Sequence, residues 1–327
     1  MWIETELEKY MHQKLISEFN EQIGTTYYSQ YDVARKYLVD NIFSYIATVE
    51  PDLTDHSDKH IENVLNNVWY LIQDDLDRFN SIELYLLCLS VLYHDSGNIN
   101  GRDGHNKKIA EIYSEVIGTN SARLQEKRLI IMVVRAHCGQ SKKNDSDTLI
   151  EVDEKASLYS REIKVREIAG IIRFADELAE GPQRTSDYLI KSGKIDNPSL
   201  VYHKYASITD VFIGKNDARI ALTYNIEIPL QNIDLETLIK FVYKRIIKLD
   251  TERRYCKYYA PSLTRFKTTD AKINILDDGI DIADLPKIQM EDKYILSEES
   301  IEELIYGRYP ELKIESIIKK IGEYSHE

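Results

Sequence analysis

Residues 82–97 read IELYLLCLSVLYHDSG, and this stretch decides the fold. From Ile82 to Tyr93 the chain is apolar nearly all round, so as a helix it is stable only where other helices enclose it. Gly97 is a helix stop. Just before it stand His94 and Asp95, two strongly polar side chains at the end of a buried helix.

Working outward, Asp55 and Ser57 can cap a helix whose apolar stripe is Ile61, Val64, Leu65, Val68 and Ile72. His60 lies one turn before Val64, on the inward side. Helices are expected over 107–117, 121–137 and 161–180, with Gly118, Gly139 and Gly181-Pro182 as stops. Beyond about residue 195 the texture changes. Val201, Tyr205, Ile208, Val211 and Ile213, then Ile220, Leu222, Tyr224, Ile226 and Ile228, suggest two strands joined by a turn at 214–217. A helix over 235–249, a third strand over 272–276 and charged terminal helices over 298–305 and 311–322 complete the pattern. The chain is thus expected to be mainly α: a helical bundle over 1–190 carrying a small α+β domain over 191–327.

The 327 residues carry 42 Lys plus Arg against 55 Asp plus Glu, a net charge of −13. Hydrophobic content of 43% with 30% charged residues supports a sizeable core and excludes a disordered chain or a membrane span as an overall description. The acidic balance disfavours wrapping of duplex nucleic acid or anionic lipid and leaves small anionic ligands open. Cys88, Cys138 and Cys256 form no CxxC pair, which argues against a disulfide framework and a thiolate zinc site. Residues 1–10 have no apolar run of signal-peptide length, so a cytoplasmic protein is expected.

Of eight histidines, five fall between positions 56 and 137. His60 starts one helix, His94 ends the buried one, His105 opens another, His137 ends a fourth, and Asp176 sits in the helix containing Ile168, Ile172 and Ala175. Several imidazoles and two carboxylates buried together would cost several kcal/mol per uncompensated charge. A divalent cation offsets the carboxylates and uses the imidazole lone pairs.

The fragments HIENV with His60, LYHDSGN with His94 and Asp95, and IIRFADELAEG with Asp176 resemble the HD superfamily of metal-dependent phosphohydrolases. The resemblance implies that His60, His94, Asp95 and Asp176 hold one metal, and that Asp95 bridges to a second held by His105 and His137. TDHSDKHIENVL at 54–65 and VYHKYASI at 201–208 are further similar to the HD-CE type, whose members occur alone or fused to chaperone-like ATPases. Nitrogen and oxygen donors without thiolate suit Mn, Fe, Co, Ni or Zn.

The chemistry expected is attack of an activated water on a nucleotide or other small phosphorylated metabolite. Asp95 and Lys108 are assigned to catalysis and Arg184 and Asn98 to substrate binding, Lys108 and Arg184 as sources of positive charge. His56 is left outside the ligand set. The basic run Lys244, Arg245, Lys248, Arg253, Arg254 and Lys257 reads as a solvated face, and Tyr205 is a candidate for stacking on a base. HDSGN lacks the acidic pair of guanosine tetraphosphate hydrolases and has Asn98 where deoxynucleotide triphosphatases carry another histidine. No GYP follows His137, so no substrate carries over. A mixed-valent di-iron oxygenase and a nucleotide-sensing module acting on a partner protein are the competing classes, and a homo-oligomer is allowed.

Overall fold

A computed structural model of the chain describes residues 2–324 apart from 103–104, 119–120, 138–146, 215, 231 and 293–299, with Asn106, Lys107 and Asn197 described in backbone only. Contacts divide it into two units. The first is Met1–Ala179 with Cys256–Thr264, the second Glu180–Tyr255 with Arg265–Glu327. A single boundary at 190/191 was expected; the chain instead leaves the first unit after Ala179 and returns to it briefly.

The first unit contains α1 (Glu6–Glu18), α2 (Glu21–Leu38), α3 (Ser44–Val49), α4 (Asp58–Ile72), α5 (Ser81–Tyr93), α6 (His105–Ile117), α7 (Leu124–Arg135), the hairpin β1 (Ala156–Leu158) and β2 (Arg161–Ile163), and α8 (Val165–Glu177). The helix read from 82–97 is α5. Every one of its residues is buried, and it packs against α1, α2, α4, α7 and α8. Asn80 starts it by accepting from the N–H groups of Ile82 and Glu83, while the Glu83 carboxylate accepts from the Asn80 N–H. Ser57 caps α4 as expected, accepting from the Lys59 N–H at 3.2 Å.

The helix expected over 161–180 begins only at Val165, because residues 156–163 form the hairpin. Its turn carries no glycine. Tyr159 and Ser160 adopt φ of 50° and 62°, and the Tyr159 hydroxyl donates to buried Glu126 at 2.7 Å, so a tertiary contact supports a conformation usually left to glycine. Against α8, Gly170 sits where an added Cβ would lie 3.1 Å from Ala260 Cβ, and the Ser262 N–H donates to Glu167 at 2.9 Å. The short returning segment is thereby fastened to the bundle. Gly139 lies outside the described residues.

The second unit holds α9 (Asp187–Ser192), α10 (Asn197–Ile208), β3 (Thr209–Ile213), β4 (Arg219–Glu227), most of α11 (Leu235–Tyr259), β5 (Thr268–Asp277), β6 (Ile280–Asp281), β7 (Ile288–Glu291) and α12 (Ile314–Tyr324). The sheet runs β3-β4-β5-β6, with β7 also paired to β5. β3 and β4 are antiparallel; β4 and β5 are parallel, which requires a crossover, supplied by α11. Two expectations change. Residues 201–208 are helix, since Val201, Tyr205 and Ile208 recur at four and three residues, and strand alternation starts only at Thr209. The first terminal helix is a π-helical turn, Glu302–Tyr306; positions 298–299 lie outside the described residues.

The basic run is not one solvated face. Arg253 is fully buried, donating to Asp250, Thr269, the Phe266 carbonyl and Asp292, and Arg254 is buried beside Asp250. These bonds compensate the cations and carry α11 past the expected end at 249. Tyr205 is buried too, against Tyr224 and Phe241, and offers no free face to a base. Among the described residues no helix is long and apolar enough to cross a membrane.

Candidate metal centre

Five elements of the first unit deliver histidine or aspartate to one point. α4 brings His60 and α8 brings Asp176. The end of α5 brings His94 and Asp95. α6 begins at His105, and His137 follows α7. His60, His94, Asp95, His105 and His137 are all buried, and Asp176 is a quarter exposed.

Asp95 lies at the middle, and its two oxygens face different partners. Oδ2 is 3.5 Å from His60 Nε2 and 3.4 Å from His94 Nε2. Oδ1 is 3.6 Å from His105 Nε2 and 3.7 Å from His137 Nε2. Asp176 Oδ1 closes the first group at 3.2 Å from His60 and 3.5 Å from His94. The donor atoms therefore form two sets, His60, His94, Asp95 and Asp176 on one side and Asp95, His105 and His137 on the other, each lying within 4.8 Å of one another.

The far side of three of the rings explains their orientation. His94 Nδ1 bonds to the Val91 carbonyl at 2.7 Å, His105 Nδ1 to the Arg102 carbonyl at 3.0 Å, and His137 Nδ1 to the Val134 carbonyl, each three residues back. A carbonyl can only accept, so Nδ1 must carry the proton. The neutral ring then turns an Nε2 lone pair toward Asp95. Despite the nearby carboxylates, His60 Nε2 and His94 Nε2 make no hydrogen bond among the described residues. Buried lone pairs and carboxylate oxygens aimed at a common point, without hydrogen-bond geometry between them, fit a cation. All donors are nitrogen or oxygen, so a divalent transition metal suits them.

Without a cation the groups would polarise one another. Burial alone would lower the His94 imidazole, but Asp95 and Asp176 outweigh it and raise it to about 10. Burial would raise the Asp95 and Asp176 carboxyls, yet the facing imidazoles of His94, His137 and His60 hold Asp95, and those of His60 and His94 hold Asp176, well below the usual carboxylate range.

Four contacts outside the expected residues hold the elements in place. An added Cβ on Gly97 would lie 1.9 Å from the His105 carbonyl oxygen, so this glycine, read above only as a helix stop, lets the turn after Asp95 touch the start of α6. Asn67, two turns after His60 on α4, donates to the Ala175 carbonyl at 3.0 Å, beside Asp176. Arg173 on α8 donates to Thr148 Oγ1 at 2.8 Å, and Thr148 Oγ1 donates to the Ala136 carbonyl at 2.6 Å, next to His137. None of these four roles has a local sequence signature.

His56, outside the ligand set on sequence grounds and in neither donor set, lies beside the centre: it is 7% exposed, with Nε2 3.6 Å from Asp95 Oδ2. Lys108 is half-buried on α6, one turn beyond His105. Asn98 is fully buried; its Oδ1 accepts from Arg102 at 3.5 Å and its Nδ2 has no hydrogen-bond partner among the described residues. Arg184 is buried in a short turn, Pro182–Arg184, of the second unit.

No curated protein matches the chain. The HD-CE family model matches residues 50–246, more than half of the chain, and the match contains every residue of both donor sets.

Proposed function

The chain belongs to the HD-CE family, and from that membership and the donor sets around Asp95 we propose a metal-dependent phosphohydrolase acting on a nucleotide or another small phosphorylated metabolite. The observation that carries the reading is the division of Asp95: one oxygen faces His60 and His94, the other His105 and His137. Such a carboxylate would be shared by two cations, with Asp176 completing the first set. Divalent metals bound there would supply Lewis acidity toward phosphate oxygens and would activate a water for in-line attack on phosphorus.

The protein's own groups do the rest. The Nδ1 bonds of His94, His105 and His137 hold those rings in one tautomer, so the donor set is organised before ligand arrives. Lys108, one turn from His105, is proposed to place its ammonium against the phosphate, where charge accumulates during transfer. The Asn98 Nδ2, which has no hydrogen-bond partner among the described residues, is proposed as a donor to a substrate oxygen.

The decisive experiment is elemental analysis of the purified protein joined to a screen of nucleotides and phosphoesters with the metal it carries, Asp95→Ala serving as control. Phosphate release or diester cleavage that disappears in the variant is the expected result. Metal-loaded protein that cleaves nothing, or iron-loaded protein that consumes oxygen without releasing phosphate, would overturn the reading.

A further inference from the structure

We propose that His56 is a fifth protein donor to the cation on the Oδ2 side of Asp95, which makes the two halves of the centre unequal. The first half would then hold its metal through His56, His60, His94, Asp95 and Asp176, the second through Asp95, His105 and His137 alone. The inference rests on the metal-binding part of the function proposed above and not on its hydrolytic part.

Three observations carry it. His56 Nε2 is 3.6 Å from Asp95 Oδ2, inside the 3.4–3.7 Å range of the four other histidines around this carboxylate. Its Nδ1 bonds to the Thr54 carbonyl, the arrangement that turns His94, His105 and His137 inward. The ring packs beside His60 with centroids 5.2 Å apart. The segment before α4 is shaped for this approach: Asp55 accepts from the Ser57 N–H at 3.1 Å and from its hydroxyl at 2.7 Å, closing a tight turn around His56. A histidine needed only for packing would have no reason to repeat the backbone bond of the metal-facing rings and turn its Nε2 to the same oxygen.

Donor number has a chemical consequence. Five protein groups leave little of a transition metal's coordination shell to solvent or substrate, whereas three leave several places open. The Oδ2-side ion becomes a tightly held anchor. The Oδ1-side ion binds more weakly and offers the positions that a phosphate would occupy.

The test is titration of Zn²⁺ into the metal-free 327-residue chain, followed by 15N NMR of the histidine side chains. At one equivalent, three of the eight histidines, His56, His60 and His94, should show metal-bound Nε2, and His105 and His137 should follow only with the second equivalent. His56→Ala assigns its resonance and should weaken the first Zn²⁺ affinity about ten- to a hundredfold while leaving the second unchanged. His56→Gln serves if the alanine variant does not fold. An unshifted His56 resonance beside shifted His60 and His94 would overturn the inference alone. Absence of any shifted histidine would overturn the metal reading and this inference together.

Discussion

Two carboxylates are buried in the same helical unit, Glu126 on α7 and Asp95 at the end of α5, and their surroundings differ in kind. Glu126 accepts from the hydroxyls of Tyr85, Tyr113 and Tyr159 and from Arg123, all within 3.1 Å. Burial and the Glu126 charge raise all three phenols, so they remain protonated donors. Asp95 meets imidazoles at 3.4–3.7 Å instead, and His60 and His94 turn toward it an Nε2 that forms no hydrogen bond among the described residues. The first carboxylate is complete within the protein. The second lies in a donor set that could hold a divalent cation, and donor chemistry, not burial, separates a structural acid from a candidate ligand.

The sharpest break in this comparison is the pair of alanine substitutions. Asp95→Ala should abolish binding of both metals and cut turnover about a thousandfold, roughly 4 kcal/mol of transition-state stabilisation. Glu126→Ala should leave metal content intact and lower unfolding stability by about 3–5 kcal/mol, because it strands Arg123, two buried hydroxyls and the half-buried hydroxyl of Tyr159. Metal analysis and urea denaturation of both variants read the contrast; metal loss in Glu126→Ala with no loss of stability would erase it.

A smaller effect divides the centre itself. Gly97→Ala forces the His105 carbonyl away, so it should weaken the second metal about ten- to a hundredfold and spare the first. Calorimetric titration should then find the tighter site unchanged and the weaker site weakened further.

The gentlest probe is pH. His94 titrates at about 10 in the metal-free fold against 6.5 in the unfolded chain. Its contribution to stability is fully present below pH 6.5 and is lost as pH rises through 10, by at most about 1.4 kcal/mol per pH unit. A bound metal displaces that proton, so metal uptake at pH 8 should release protons and metal affinity should rise with pH. Denaturation of metal-free and zinc-loaded protein at pH 7 and 9.5 should show the loss only in the former. Equal pH dependence in both would mean that His94 is not a ligand.

Much of the centre was legible because its residues sit at helix ends, where local pattern is strongest. The all-apolar α5 announces enclosure, and His94-Asp95 follows it directly. The approach of His56 to Asp95 has no local signature, because it depends on the turn from Asp55 to Ser57 and on a partner 39 positions later. The hairpin at 156–163 was missed because Tyr159, not glycine, occupies its left-handed turn. Helix 201–208 was read as strand because an apolar stretch at a domain edge carries both periods until the alternation beginning at Thr209 separates them.

Periodicity and capping, which act within a few residues, are enough to read the enclosed helical bundle, the order of the histidine and aspartate residues and their placement at element ends. Which oxygen of Asp95 faces which ring, how near His56 comes to it and that Glu126 is satisfied by tyrosines emerge only from the folded chain. Those choices depend on contacts between elements far apart in the chain, and no local pattern encodes a distance in space.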